Sequence, residues 1–130
     1  MKFLQEHSFH GSVKYLTMHE IKIAEDLAVI VLEAARNENL SEVTKVNVSF
    51  GQMVQIVPEI FEFAFRETVR NTIAEDCELI IEILKVKIKC SGCGGEFNID
   101  KNNFICIECG SAEIEIIQGK ELFVKSIEGE

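Results

Sequence analysis

The sequence predicts an α+β fold, in which a small three-stranded sheet carries two helices and a cysteine-containing module is inserted between its second and third strands. Three observations support this prediction. Apolar residues recur at three- and four-residue spacing after Met18, apolar and polar residues alternate over 46–50, and two Cys-x-x-Cys pairs follow a long apolar segment. The order of elements is therefore helix, strand, helix, strand, cysteine module and strand.

The first helix is predicted to begin near Met18 and to end near Asn37. Its apolar side chains share one broad face, because three- and four-residue steps return to the same side of a helix; they are Ala24, Leu27, Ala28, Val31, Leu32 and Ala35. The second helix is predicted to begin at Pro58, because proline suits the first helical position, and Glu59 complements the positive end of the helix. Each helix should pack its apolar face on the sheet.

Two segments have the alternation of strands. Residues 46–50 alternate apolar with polar side chains, which predicts a half-buried strand that Gly51 closes. Residues 78–89 form a longer strand candidate, in which the apolar positions change from odd to even numbers near Ile83 and Leu84. Such a change of buried face predicts a bulge or bend, as where a strand leaves one sheet for another unit.

Composition excludes several classes of protein. The chain has 130 residues, a hydrophobic fraction of 47% and a net charge of −9, which indicates a globular domain whose surface repels a phosphate backbone. A basic strip at Lys85, Lys87 and Lys89 is interpreted as one solvated strand face. No run approaches the ~18 apolar residues of a membrane helix, and the N-terminus lacks the apolar core of a secretion signal. We therefore expect a cytoplasmic protein with no nucleic-acid and no membrane partner.

Four of the five cysteines form a metal-binding pattern. Cys90 and Cys93 are separated by two residues, twelve residues follow, and Cys106 and Cys109 repeat the spacing. Two such turns place four sulfurs around one ion, and in a reducing compartment they favour zinc over disulfides. Because four thiolates leave no open position, the zinc should be structural rather than catalytic. Cys77 is interpreted as a small buried residue outside this zinc-ribbon-like module.

These elements give a division of the chain. Residues 1–17 have no convincing periodicity and are expected to be a poorly ordered N-terminal extension. Residues 18–88 and 112–130 are predicted to form one α/β domain, and residues 89–111 the zinc-binding module.

The segment Met18-His19-Glu20 has two interpretations. Thr17 and Glu20 match a capping box, in which Thr17 caps the helix and Glu20 reaches back, so that His19 is an ordinary surface residue. The other interpretation depends on a family resemblance. Five motifs follow one another along the chain: Met18-His19-Glu20-Ile21, the segment from Gly51 through Pro58-Glu59 to Phe65, Thr72-Ile-Ala-Glu75, the two Cys-x-x-Cys pairs and Gly119-Lys-Glu-Leu122. With these motifs in this order, the chain from Met18 onward, about 113 of 130 residues, resembles the HypA family of nickel chaperones for hydrogenase maturation.

The resemblance implies a non-catalytic nickel metallochaperone that carries Ni(II) at Met18, His19 and Glu20. A free amine on Met18, the amide and imidazole nitrogens of His19 and a Glu20 donor are groups that nickel accepts in adjacent chelate rings. It also implies a HypB-type GTPase and the hydrogenase large subunit as partners, and in some organisms the urease pathway.

This chain departs from the family pattern at its start. Residues 1–17 have no counterpart, so the nitrogen of Met18 is an amide here, and the chemistry favours a functional chain that begins at Met18. No histidine follows His19, so a ligand set with a downstream histidine cannot be carried over.

Two other functions compete with this interpretation. A zinc ribbon that binds protein or nucleic acid is the alternative, but acidic residues surround the cysteines: Glu96, Asp100, Glu108, Glu113 and Glu115. An enzyme is the least supported, because the metal site is closed and no paired carboxylates can be placed.

Overall fold

The computed structural model describes residues 2–4, 7–8, 20–99 and 104–130. For residues 2–4 and 7–8 only the backbone is described. The helices are α1 (Glu20–Asn37) and α2 (Pro58–Thr68). The strands are β1 (Lys2–Leu4), β2 (His7–Ser8), β3 (Val43–Gly51), β4 (Glu78–Leu84), β5 (Lys87–Cys90), β6 (Glu96–Asn98), β7 (Ile114–Gln118) and β8 (Leu122–Gly129). The predicted α+β class is confirmed, and both helices occupy the predicted segments.

The first sheet contains the three predicted strands. β3 lies at its centre, parallel to β4 on one side and antiparallel to β8 on the other. Lys45 on β3 joins all three strands, because its ammonium lies 4.0 Å from Glu78 on β4 and 3.6 Å from Glu128 on β8. The face of the sheet that carries Lys45 is polar, with Asn47 and Ser49 also on it, and the opposite face carries Val46, Val48 and Phe50, which are buried.

Both helices cover that apolar face. The predicted face of α1 is buried at Ala24, Leu27, Ala28, Val31 and Ala35, and Leu32 packs at its margin. α2 contributes Phe61, whose ring meets Phe50 edge-on at a centroid distance of 4.9 Å. One continuous core therefore joins the two helices to β3 and β8.

A second sheet of three strands follows, in the order β6-β5-β7. The chain leaves the first sheet at Leu84 and enters the second at Lys87, so the predicted change of buried face near Ile83 and Leu84 corresponds to a change of sheet. β7 pairs antiparallel with β5, so the second sheet extends from Lys87 to Gln118, beyond the 89–111 predicted for the module. Pairing between β5 and β7 joins residues far apart in the chain and leaves no local signal in the sequence.

The two sheets meet at a tight junction of main chain. The Gly51 amide donates to the Glu121 carbonyl at 2.7 Å, and the Met53 amide donates to the Gly119 carbonyl at 2.9 Å. A Cβ atom on Gly51 would lie 2.0 Å from the carbonyl carbon of Gly119, so only glycine permits this approach. The glycine that closes β3 therefore holds the second sheet against the first.

The N-terminal extension differs from its prediction in two short segments. Residues 1–17 were expected to be a poorly ordered tail, but β1 and β2 pair antiparallel with β8. The physical reason is that backbone pairing needs no side-chain periodicity when a neighbouring strand offers a free edge. Neither described helix is long and apolar enough to cross a membrane.

Candidate metal centre

Two similar backbone turns carry the four cysteines of the predicted zinc site. In the first, the Gly94 amide donates to the Cys90 carbonyl at 2.9 Å, and in the second the Gly110 amide donates to the Cys106 carbonyl, also at 2.9 Å. Gly94 has φ +75° and Gly110 has φ +73°, the left-handed conformation that glycine adopts without strain. The repeated spacing therefore produces a repeated geometry.

The second sheet positions the first turn. Cys90 is the last residue of β5, and its amide donates to the Gly95 carbonyl at 2.8 Å. The next amide, that of Ser91, donates to the Glu113 carbonyl at 3.0 Å, which connects the turn to the segment preceding β7. The turn around Cys106 is closed in the same way by a 2.9 Å bond from its amide to the Ser111 carbonyl.

The four sulfurs converge on one point. All four Sγ atoms lie within 4.8 Å of one another, with 3.5 Å between Cys90 and Cys109 and 3.6 Å between Cys93 and Cys106. Four sulfurs at the usual Zn–S distance of ~2.3 Å from a central ion are about 3.8 Å apart in a tetrahedron. The cluster is therefore compatible with a structural zinc ion, and all five cysteines are free thiols.

Amide groups adjust the electrostatics of the cluster. Burial raises the pKa of the Cys106 thiol. The amides of Cys109 and Glu108, each 3.4 Å from its sulfur, and hydrogen bonds with neighbouring sulfurs together lower the pKa by more than burial raises it, and the resulting pKa is about 7. At Cys93 the Gly95 amide lowers the pKa, while a hydrogen bond with the Cys106 sulfur and burial raise it, and the outcome is about 12. The turn geometry thus prepares Cys106 in particular to act as a thiolate.

Cys77 lies outside this cluster. It is 2% exposed, as expected for a small buried residue. Arg66 donates a hydrogen bond to its carbonyl, and the guanidinium also lies 3.8 Å from its sulfur. Burial raises the pKa of the Cys77 thiol, so it remains protonated near neutral pH.

The predicted nickel residues are only partly described. Met18 and His19 lie outside the described residues, and Glu20 is the first residue of α1. One carboxylate oxygen of Glu20, Oε2, is buried and has no hydrogen-bond partner among the residues described. A buried carboxylate oxygen without a partner is costly, and a metal ion or a donor from the preceding segment would satisfy it.

A family model described as hydrogenase/urease nickel incorporation, metallochaperone, HypA matches residues 18–129. The chain belongs to the HypA family. The HypA of Aquifex aeolicus is 42% identical over 111 residues, which are 85% of this chain and 96% of that protein. The HypA of Caldanaerobacter subterraneus is 35% identical over 114 residues, 87% of this chain and 100% of that protein. The resemblance read from Met18 onward is thus confirmed.

Solved HypA structures share the fold. The solution structure of the Ni metallochaperone HypA from Helicobacter pylori superposes with a TM-score of 0.64 at 25% identity, covering 86% of this chain and 97% of that one. A second HypA solution structure has a TM-score of 0.67 at 24% identity and covers 96% of its own length. The HypA relatives align along nearly their whole lengths while the family match begins at residue 18, so the extension adds to the shared body.

Proposed function

We propose that this HypA-family chain binds Ni(II) at Met18, His19 and Glu20 and delivers it during maturation of [NiFe] hydrogenase. The observation that carries the proposal is the family match, which begins at the Met-His-Glu segment itself. The four-cysteine cluster is a separate group of donors, and thiolates suit zinc. Nickel as cargo and zinc as structural metal would therefore occupy different sites.

The nickel site should be labile, because a carrier must release its metal. The imidazole of His19 is a donor that Ni(II) favours, and a deprotonated amide or an amine at Met18 completes a chelate ring with it. The orphan carboxylate oxygen of Glu20 supports a third donor at the start of α1. A site at a helix start, built from adjacent residues, opens without disturbing the core.

The four thiolates of Cys90, Cys93, Cys106 and Cys109 would hold zinc in the second sheet. Their chemistry fits, since a four-sulfur set with this spacing is a structural zinc site and leaves no position for a substrate or water. Zinc bound there would link the turn of Cys90 and Cys93 to the turn of Cys106 and Cys109. This argues for a structural role and against catalysis at the cluster.

The partners we propose follow from the same assignment. A HypB-type GTPase and the hydrogenase large subunit would receive or pass on the nickel, and the urease pathway is a further recipient where it exists. A zinc-ribbon module that binds protein or nucleic acid is the weaker alternative. A net charge of −9 opposes nucleic acid, and Lys87, one of three lysines in the basic strip, lies 3.9 Å from Glu96. We place the chain in the cytoplasm, where the thiols would stay reduced.

The test of the nickel site is a pair of histidine substitutions in the full chain. His19→Ala should abolish nickel binding in equilibrium dialysis and hydrogenase maturation in cells that lack their own HypA, while zinc content and helix signal stay unchanged. His10→Ala removes an imidazole outside the motif and is the matched control. If His19→Ala bound nickel with the same affinity as the parent chain, the nickel site would lie elsewhere. The histidines of the extension would then be the next candidate ligands.

A further inference from the structure

Two described segments of the N-terminal extension lie along β8 in a common register. Lys2–Leu4 pairs with Ile127–Gly129 and His7–Ser8 pairs with Phe123–Val124, always in the antiparallel sense. Both segments have the same register, because the partner of Lys2 is Gly129 and the partner of Ser8, six residues later, is Phe123, six residues earlier. Together they cover both ends of β8.

The edge that receives it belongs to the shared family body. The family match covers residues 18–129, which include all of β8 and none of the extension. Without the extension, β8 would pair only with β3 among the described strands and would leave alternate amides and carbonyls of its outer edge unpaired. The site is thus built by the body, and the extension is its occupant.

The two outer strands of the body differ in a way that favours docking on β8. β4, at the other edge, is exposed or half-buried at every position and carries Glu78 and Glu82, the charged, exposed character that protects a free edge. Along β8, with the extension docked on it, only Lys125 is exposed. The docked segments thus complete the cover of this strand, whereas β4 has no partner on its outer side among the described strands.

We propose that the outer edge of β8 is a docking site for an extended peptide strand, occupied in this chain by its own Lys2–Leu4 and His7–Ser8. Recognition is by main-chain hydrogen bonds, as in strand addition to an open sheet edge. A segment of another protein that uses this edge would have to displace the extension first. The inference is independent of both proposed metal sites.

The test uses the full chain with Phe3→Pro, Leu4→Pro, His7→Pro and Ser8→Pro. Donors alternate along an antiparallel pair, so substituting neighbouring residues removes the donor that faces β8 in each segment. The matched control has alanine at the same four positions, because alanine keeps the amides. Alternate β8 amides should exchange with deuterium roughly ten times faster in the proline variant than in the alanine control, the factor that one lost hydrogen bond can account for. Slow exchange of the β3 amides in both variants would show that the first sheet remains folded.

A peptide of residues 1–9 added to the proline variant should restore slow exchange along β8, and the same peptide with the four prolines should not. Equal β8 exchange in the proline and alanine variants would overturn the proposal. So would failure of the unmodified peptide to bind the proline variant at millimolar concentration, since the edge would then not accept a strand in trans.

Discussion

Removal of one zinc ligand should unfold the second sheet and leave the first intact. Cys93→Ser is the most informative change, because Cys93 is exposed and its loss leaves no cavity in a core. The matched control is Cys77→Ala, which also removes one thiol but lies in the first core, away from the cluster. Only the first change should lower zinc content below one ion per chain.

The size of the effect follows from how little the second sheet buries. Its strands hold twelve residues, four in β5, three in β6 and five in β7, and the flanking residues Val86 and Ile99 bring the total to fourteen. Ordering their backbone at about 1.5 kcal/mol each costs about 21 kcal/mol. Three of the fourteen side chains, those of Val86, Ile88 and Ile99, are buried and contribute about 2 kcal/mol each, or about 6 kcal/mol. The shortfall of about 15 kcal/mol lies within the ~10–16 kcal/mol that zinc supplies to small domains.

Amide hydrogen exchange separates the two sheets in one experiment. In Cys93→Ser the amides of Ile88 and Cys90 should exchange as in an unfolded chain, while those of Val46 and Val48 stay protected and the helix signal at 222 nm is unchanged. The reasoning is refuted if the zinc-free variant keeps slow exchange at Ile88, because the sheet would then be stable on its own core.

The buried thiol and the aromatic core give two further predictions. Cys77 should resist alkylation at pH 8 in the folded chain and react once urea unfolds it, because burial raises the pKa of its thiol; mass spectrometry after timed labelling would show this, and rapid labelling of the folded chain would contradict it. Phe61→Ala should lower the free energy of unfolding by about 3–5 kcal/mol in urea, since the ring is fully buried against Phe50 and Phe65. Phe63 is 69% exposed, so Phe63→Ala should change the free energy of unfolding by no more than about 0.5 kcal/mol. Equal losses of stability in the two variants would contradict the assignment of Phe61 to the core and of Phe63 to the surface.

The local elements were predictable because their signals are local. Helical spacing identified the buried face of α1, and Pro58 marked the start of α2. The change of buried face near Ile83 identified the point where the chain changes sheets. Each of these signals involves residues within a few positions of one another.

Strand partners were not predictable in the same way. Alternation shows that a strand has a buried face but does not identify its neighbour. Asn47 and Ser126 are 79 positions apart, and their 2.9 Å side-chain bond depends on the register of β3 and β8. For the same reason the pairing of β7 with β5, and of the extension with β8, appeared only in the structure.

The sequence by itself determined the identity of the thiol cluster and the family. Two residues between cysteines is a covalent constraint that forces both sulfurs of a turn to one side, so the four ligand candidates were evident without coordinates. The tertiary structure decided that Cys90 and Cys109 come within 3.5 Å, that Gly51 approaches the Gly119 main chain, and that β8 has an occupied outer edge. These features depend on contacts between distant segments, whose relative placement is set by packing of the whole chain and by no local pattern.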